Sequence, residues 1–269
     1  MSLYLFAGQD LLVPSSSGSG PSLGAVSPES FLDRSLGRRD FVLDGERHTA
    51  LMLDEEGAAA AMRPSSGTGD RPALRRIAFR EAIGEYDGVE LEVAIRGIAL
   101  LRWLEVARFC GACGSPLRDK AEGDMDAGGR ECSVCGRVHF PRISPAIIVL
   151  VRKGPRALLA HNARFPSGRF GLIAGFVEAG ETLEEAVVRE VKEEAGVEIR
   201  DLRYIKSQPW PFPDSLMLAF TAEWASGESR PDGVEITELR WCLPSELPGI
   251  PPQGSVARFL LDAFVRGET

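Results

Sequence analysis

The segment 175–197 constrains what this chain can fold into more than any other part of its sequence. Thr182 is a favourable helix N-cap, and Glu185 stands three residues later, which is the pattern of a capping box. Gly196 follows the last residue of the apolar period and suits the left-handed conformation at a helix end. The segment therefore predicts a short helix with defined ends, from about residue 183 to about residue 195.

The apolar face of this predicted helix carries acidic side chains. At about 100° per residue, four aliphatic side chains share one sector: Leu183, Ala186, Val187 and Val191. Glu190 and Glu194 fall in that sector, and Glu193 lies just beside it. The alternative is an acidic face exposed to solvent, but here the acids follow the apolar stripe instead of opposing it. Because such carboxylates repel each other and lose solvation, we predict Mg²⁺ or Mn²⁺ among them, together with a phosphate substrate.

This segment resembles the Nudix box, a motif of enzymes that hydrolyse a nucleoside diphosphate linked to another group. All nine fixed positions of the motif are filled, by Gly175, Glu181, Arg189, Glu190, Val191, Glu193, Glu194, Gly196 and Val197. Nine matches at fixed spacing form a far more specific signal than a single glycine pattern. The resemblance implies an α/β fold, the Nudix α/β/α sandwich, and catalysis that depends on Mg²⁺ or Mn²⁺.

Four of the five cysteines form two close pairs, Cys110 with Cys113 and Cys132 with Cys135, and eighteen residues separate the pairs. Two C-x-x-C pairs at this spacing predict a zinc ribbon, whose four thiolates surround Zn²⁺ and leave no position for substrate. The zinc would stabilise the fold without taking part in catalysis. Two disulfides or a redox pair are the alternatives, and the duplicated spacing and the absence of secretory features disfavour both. His139 is a further possible ligand, but four cysteines already complete the site.

A second unusual segment, S-Q-P-W-P-F-P-D-S, spans residues 207–215. Its three prolines lack amide donors and exclude a central strand, so we expect a stiff loop that holds two aromatic side chains beside polar groups. Such a loop suits a flat heterocycle with its ribose, whereas a proline-rich turn packed on the core is the alternative. The candidate substrate-binding residues here are Gln208, Pro209, Trp210, Pro211, Phe212, Pro213, Asp214 and Ser215.

Beside a complete Nudix box, this segment resembles the marker of the NADH pyrophosphatase branch of that family. An upstream zinc ribbon and a closing segment like residues 251–257 are also features of the branch, and the resemblance covers about residues 105–265. It implies a homodimer that hydrolyses NADH or NAD⁺ to (reduced) nicotinamide mononucleotide and AMP. The family also removes NAD caps from the 5′ end of RNA, and the sequence leaves this activity open. Phe140 stands where relatives usually carry tyrosine, so the ring is kept and its hydroxyl is lost.

The resemblance also implies roles for individual residues. The catalytic acids would be Glu190, Glu193 and Glu194, and the ligands of the divalent ions would be Glu190, Glu194, Glu235 and the carbonyl of Ala174. The ions would lower the pKa of a water that attacks one phosphorus in line. Arg189 would orient a neighbouring carboxylate such as Glu181, and Phe176 and Ala257 would contact the substrate.

The composition and the pattern of apolar residues predict the domains and the remaining secondary structure. With 269 residues, of which 44% are hydrophobic, the chain has room for two domains with cores. We expect an N-terminal α/β domain over 1–105, the zinc ribbon over 106–142 and the Nudix domain over 143–269. Strands are expected at 146–151, 157–160, 170–174, 202–207, 216–224 and 238–243, with a closing helix at 255–264. In the first domain, we expect a hairpin around Asp44-Gly45, a helix at 90–108, and loops at 14–30 and 63–72.

The net charge of −8 gives no reason to expect general affinity for nucleic acid or for a membrane, and the absence of a secretory leader predicts a cytoplasmic protein. Two rival functions remain at this stage. A hydrolase of ADP-ribose or dinucleoside polyphosphates would share the box but has no reason to carry the segment 207–215. A non-catalytic regulator with a zinc ribbon would bind nucleic acid through a basic face and would not require the complete set of acids.

Overall fold

A computed structural model of the chain describes residues 2–15, 20–23, 28–63, 73–120 and 128–268. Parts of the loops expected at 14–30 and 63–72 lie outside these ranges. The chain divides into two units, Met1–Arg142 and Ile143–Thr269. The finer division into three domains stays a prediction. Among the described residues, none of the helices has both the length and the apolar character that crossing a membrane requires.

The first unit contains a five-stranded sheet in the order β3-β4-β1-β2-β5. Its strands are β1 (Ser2–Ala7), β2 (Asp10–Pro14), β3 (Ser35–Leu43), β4 (Glu46–Leu53) and β5 (Leu74–Ala78). Its helices are α1 (Glu55–Met62), α2 (Phe79–Glu85) and α3 (Gly88–Val106), with a 3₁₀ turn at Pro28–Arg34. The predicted hairpin is confirmed, because Asp44 and Gly45 join β3 to β4 with φ angles of 51° and 79°. The helix predicted at 90–108 is α3.

The cysteine pairs lie at the turns next to a small three-stranded sheet in the same unit. Its strands are β6 (Leu117–Asp119), β7 (Arg130–Cys132) and β8 (Val138–His139), in that spatial order.

The second unit is built on a six-stranded mixed sheet. Its strands are β9 (Ser144–Lys153), β10 (Arg156–Asn162), β11 (Ile173–Phe176), β12 (Glu198–Trp210), β13 (Ser215–Ser226) and β14 (Ile236–Cys242). The order is β12-β13-β9-β10-β14, with β11 also paired to β9, and β13 runs parallel to β9. Its helices are α4 (Leu183–Ala195) and α5 (Val256–Val265), with a 3₁₀ turn at Pro244–Glu246. The predicted strands are present, although β11 begins only at Ile173.

The two helices of this unit cover opposite faces of the sheet, as the alternation along β9 dictates. Ile147, Val149 and Val151 pack in one cluster with the aliphatic residues of α4. Ile148 and Leu150 pack in another cluster with the apolar side of α5. Cys242 is buried in this second cluster. The α/β/α sandwich predicted from the box is therefore confirmed, and α4 carries the acids on its inward side.

The prediction of a stiff loop at 207–215 is wrong for its first half. β12 continues to Trp210, and Gln208 pairs with Met217 while Pro209 pairs with Leu216 on β13. Only residues 211–214 form the turn. The prolines exclude a central strand, and β12 is indeed an edge strand, where a residue without an amide donor is tolerated.

Candidate active site

The helix α4 has the predicted ends. The Thr182 hydroxyl accepts from Glu185 N at 3.2 Å, and Thr182 N donates to the Glu185 carboxylate at 2.8 Å, so the capping box is complete. At the other end, Gly196 has φ 73° and donates to Lys192 O. Lys192 and Glu185, on the side of the helix away from its apolar stripe, are exposed. The acids of the box are therefore presented by a helix with defined start and end.

Two of these acids are withdrawn from water. Glu194 is 6% exposed, and its Oε2 atom is buried without a hydrogen-bond partner among the described residues. Burial, reinforced by the negative charges of Glu190 and Glu235, raises the pKa of Glu194 to about 8. Burial also raises the pKa of Glu190, against the opposing effect of Arg189. Without a bound cation, at least one carboxyl group of this cluster would resist ionisation near neutral pH.

Arg189 is the hydrogen-bonding centre of the site. Its guanidinium donates to both carboxylate oxygens of Glu181, at 2.7 and 3.0 Å, as predicted. It also donates to Glu190 at 2.9 Å and to Glu193 at 3.1 Å, and to the Phe176 carbonyl at 3.0 Å. The hydrogen bond from Arg189 lowers the pKa of Glu181. Arg189 is therefore occupied by protein groups, which agrees with an orienting role.

Gly175 makes room for the Glu190 carboxylate. It lies on β11, opposite Ile147 of β9. A Cβ atom added at Gly175 would come within 1.9 Å of Glu190 Oε1 and within 2.0 Å of its carboxyl carbon. Real Cβ contacts are never so short, so any side chain here would displace the carboxylate. The glycine of the motif is thus needed for space beside the strand, next to Ala174.

Glu235 reaches this region from the connection between β13 and β14. Asp232 organises its backbone by accepting hydrogen bonds from Val234 N, Glu235 N and Ile236 N at 2.8–3.2 Å. The negative charge of Glu235 contributes to the raised pKa values of both Glu190 and Glu194. Sequence reasoning missed Asp232, although Asp-Gly three residues before an expected ligand is a recognisable turn signal.

These residues fit divalent cations. A buried carboxylate oxygen without a partner, close to two further carboxylates, is a group that a cation would satisfy. Carboxylate oxygens are the ligands that Mg²⁺ and Mn²⁺ prefer. Among the described residues, the cysteines form the one group of three or more potential ligands whose donor atoms all lie within 4.8 Å of one another. The acid cluster is more open, which suits ions that keep water and substrate oxygens in their coordination shell.

The candidate substrate-binding residues lie in two places: one residue is beside the acids, and the others are near the turn between β12 and β13 or on α5. Phe176 ends β11 beside Arg189 and is 55% exposed. The Trp210 and Phe212 rings meet edge to face at 5.1 Å. Pro211 and Ser215 are buried, Pro213 is exposed, and Asp214 is half-buried and accepts from Ser144 N through its carbonyl.

Gln208 holds the chain at the start of α5. Its side-chain amide donates to Gly254 O and its carbonyl oxygen accepts from Val256 N, both at 2.7 Å. Ala257 packs in the core cluster under α5. Gln208 and Ala257 therefore lie with α5, whereas Phe176 lies with the acids, and their contacts with a substrate stay predictions.

The four cysteines have the geometry of a zinc site. The Sγ atoms are 3.4 Å apart for Cys113 and Cys132, and 3.7 Å apart for Cys110 and Cys135 and for Cys113 and Cys135. Four thiolates at about 2.3 Å from Zn²⁺ would lie about 3.8 Å apart, whereas a disulfide requires about 2.05 Å. The backbone amide of Ser115 lowers the pKa of Cys113 to about 6, which favours its thiolate. His139 Nε2 lies 3.4 Å from Cys110 Sγ.

The chain is similar to proteins of known family. The NUDIX domain family matches residues 141–261. The NAD-capped RNA hydrolase NudC of Chromobacterium violaceum is 45% identical over 195 residues, which cover 72% of each chain. The protein of the same name from Stutzerimonas stutzeri is 47% identical over 196 residues, covering 73% of this chain and 70% of that one. A NUDIX hydrolase structure from Nitrosomonas europaea covers 60% of this chain and 90% of its own, with 26% identity and a TM-score of 0.50.

Proposed function

Because the chain belongs to the Nudix hydrolase family, we propose that it hydrolyses the diphosphate bond of NADH and NAD⁺, giving (reduced) nicotinamide mononucleotide and AMP. The observation that carries this proposal is the buried Glu194 carboxylate, which has an unsatisfied oxygen and lies near the charges of Glu190 and Glu235. The names of the relatives, NAD-capped RNA hydrolases at 45% and 47% identity, support NAD as the substrate group.

The residues that would hold the divalent ions are Glu190, Glu194, Glu235 and the carbonyl of Ala174, with Glu193 close by. Ions bound there would supply a Lewis acid for the phosphate oxygens and would make a water molecule more acidic. In the overall reaction, a water oxygen forms a bond to one phosphorus, the bond from that phosphorus to the bridging oxygen breaks, and the second phosphate leaves with that oxygen.

The residues of the chain set the geometry for this reaction. Arg189 holds the Glu190 and Glu193 carboxylates by hydrogen bonds, and Gly175 leaves the space that Glu190 occupies. Phe176, which is largely exposed beside the acids, and the Trp210–Phe212 pair would contact the base or the nicotinamide ring. Holding the diphosphate and its attacking water in one orientation is the main contribution expected of such a site.

A second candidate activity is removal of the NAD cap from RNA, which the printed names of the relatives favour. The same diphosphate bond would break in both substrates, so the same acids would serve both. Zinc at the cysteine quartet, assembly as a homodimer and a cytoplasmic location complete the proposal.

The test is to incubate the purified protein and Mg²⁺ or Mn²⁺ with NADH, NAD⁺, ADP-ribose and NAD-capped RNA, and to identify the products by mass. We expect nicotinamide mononucleotide and AMP from the dinucleotides, and loss of turnover in Glu194→Gln. Glu184→Gln, a change at an exposed position on the same helix, is the matched control and should remain active. Full activity of Glu194→Gln at saturating metal would contradict the proposal.

The same panel separates the rival functions. Preferential cleavage of ADP-ribose would identify an ADP-ribose hydrolase instead. A regulator that binds nucleic acid would cleave none of the substrates and would shift DNA in a gel in a strongly salt-dependent manner.

A further inference from the structure

The connection that carries Glu235 is fastened to the C-terminal end of α4. We call residues 227–235 the Glu235 loop. Arg230 N donates to Ala195 O, the carbonyl of the last residue of α4, at 2.9 Å. A helix leaves its last carbonyls without partners inside the helix, so this bond completes the helix end with a group from the loop. The loop and the helix that carries Glu190 and Glu194 are therefore joined directly.

Two tryptophan side chains add the next contacts. Trp224, on β13, donates from Nε1 to Gly227 O at 3.1 Å, and Trp241, on β14, donates from Nε1 to Ser229 Oγ at 3.1 Å. Both rings pack against the same core cluster as α4. Lys153 Nζ lies 3.7 Å from the centre of the Trp224 ring and 5.8 Å from that of Trp241. The strands on both sides of the loop thus each contribute an indole N–H that holds its first half.

The second half of the loop has further hydrogen bonds. Asp232 accepts three backbone N–H groups, as described above, and Ala163 N donates to Glu235 O at 2.8 Å. The Glu235 side chain itself is exposed. Its position relative to α4 is therefore determined by the backbone of the loop and not by packing of its own side chain.

We propose that Trp241 and Ser229 are positioning residues that hold Glu235 within reach of the ions bound by Glu190 and Glu194. The inference rests on the proposed function, because it takes Glu235 as a ligand. The hydrogen bond from Trp241 Nε1 to Ser229 Oγ links β14 to the loop between the contacts at Gly227 and Arg230. Groups that orient metal ligands without touching the metal typically change metal affinity by about 10–100-fold.

The experiment measures Mn²⁺ affinity in the absence of substrate, by electron paramagnetic resonance of the free ion, in Trp241→Phe and Ser229→Ala. Each variant removes one partner of the same hydrogen bond, and Trp241→Phe keeps an aromatic ring in the core. We expect each variant to bind Mn²⁺ about tenfold more weakly than the unaltered protein. The double variant should bind Mn²⁺ no more weakly than the single variant with the lower affinity. We also expect kcat at saturating Mn²⁺ to fall far less than kcat at limiting Mn²⁺.

Two further variants make the result interpretable. Lys153→Met removes the cation over both rings and leaves every hydrogen bond of the loop in place, so it should change the melting temperature and not the Mn²⁺ affinity. Glu235→Gln should weaken Mn²⁺ binding at least as much as Trp241→Phe. Unchanged Mn²⁺ affinity in folded Ser229→Ala and Trp241→Phe, or in Glu235→Gln, overturns the inference. Because no substrate is present, failure of the proposed reaction would appear separately, as absence of hydrolysis with normal Mn²⁺ binding.

Discussion

At the scale of single residues, the site is built around a carboxyl group that the protein alone does not satisfy. The unfolded chain would ionise Glu194 with the ordinary glutamate pKa of about 4.3, whereas the pKa in the folded chain is about 8. Between these values the folded state binds a proton that the unfolded state has released. Glu194 therefore makes folding less favourable as the pH rises through this window, and its contribution is constant above about pH 8.

The first prediction concerns Glu194→Gln in buffer free of divalent ions. Glutamine cannot ionise, so the variant should melt at a higher temperature than the unaltered protein at pH 8, and this advantage should be smaller at pH 5. Mg²⁺ should raise the melting temperature of the unaltered protein and not that of the variant. The measurement is thermal unfolding at both pH values with and without Mg²⁺. An advantage that is equal at pH 5 and pH 8 would show that Glu194 ionises normally.

The second prediction concerns Gly175. In Gly175→Ala the added methyl group overlaps the Glu190 carboxylate, so this group must move away from its position beside β11. Displacement of a reacting group by about 1 Å costs about 100-fold in rate, and we expect a loss of that size in kcat with the fold retained. Gly128→Ala is the control, because no atom of the part of the chain that the structure describes lies within 4 Å of the methyl group added there. Circular dichroism of both variants tests whether the fold is retained, and steady-state kinetics measure the change in kcat.

At the scale of elements, the bounds of α4 were predicted correctly from the sequence, for a reason that its residues make clear. Its cap, its apolar stripe and its closing glycine are all local signals, separated by no more than a few turns. Thr182, Glu185 and Gly196 act on their immediate neighbours, and the structure contains each of the expected hydrogen bonds. Local signals of this kind can be recognised in a sequence without knowledge of the rest of the fold.

The third prediction tests this cap. Thr182→Ala removes the hydroxyl that accepts from Glu185 N, and we expect the free energy of unfolding to fall by about 1 kcal/mol. Thr182→Ser keeps the hydroxyl and should lose much less. Urea unfolding followed by tryptophan fluorescence is suited to this test, because three of the four tryptophans lie in the second unit: Trp210, Trp224 and Trp241. Equal stability of the two variants would mean that the Thr182 hydroxyl contributes nothing to the stability.

Other elements depend on partners distant in sequence, and these were not predictable. Pro209 signals a break within its own segment, but the position of β12 at the sheet edge allows the strand to continue through it. The exchange of hydrogen bonds between Gln208 and the backbone at Gly254 and Val256 spans more than forty residues. Only the parallel pairing of β13 with β9, and the return of β14 next to β10, bring the Glu235 loop to α4. No periodicity within a segment encodes such pairings.

At the scale of the whole molecule, each unit has its own core and its own group of potential metal ligands. The acids lie in the second unit, on α4 and the Glu235 loop, and the cysteine quartet lies in the first unit. Cys110 and Cys132 are buried while Cys113 and Cys135 are exposed, so the quartet is covered on one side only. Zn²⁺ and catalytic ions should therefore act on different parts of the chain.

The fourth prediction is that removal of each kind of ion loosens a separate set of backbone amides. In the cysteine pairs, Gly114 N donates to Cys110 O and Gly136 N donates to Cys132 O, and both turns begin at cysteines that zinc would hold. A zinc chelator applied to the full chain should speed hydrogen exchange at these amides and leave α4 protected. Withdrawal of Mg²⁺ with zinc retained should do the reverse, speeding exchange in the Glu235 loop and at the amides bound by Asp232. Mass spectrometry of exchanged peptides measures both effects. If zinc removal left exchange in peptides covering 110–139 unchanged, the cysteine quartet would not depend on a metal for its structure.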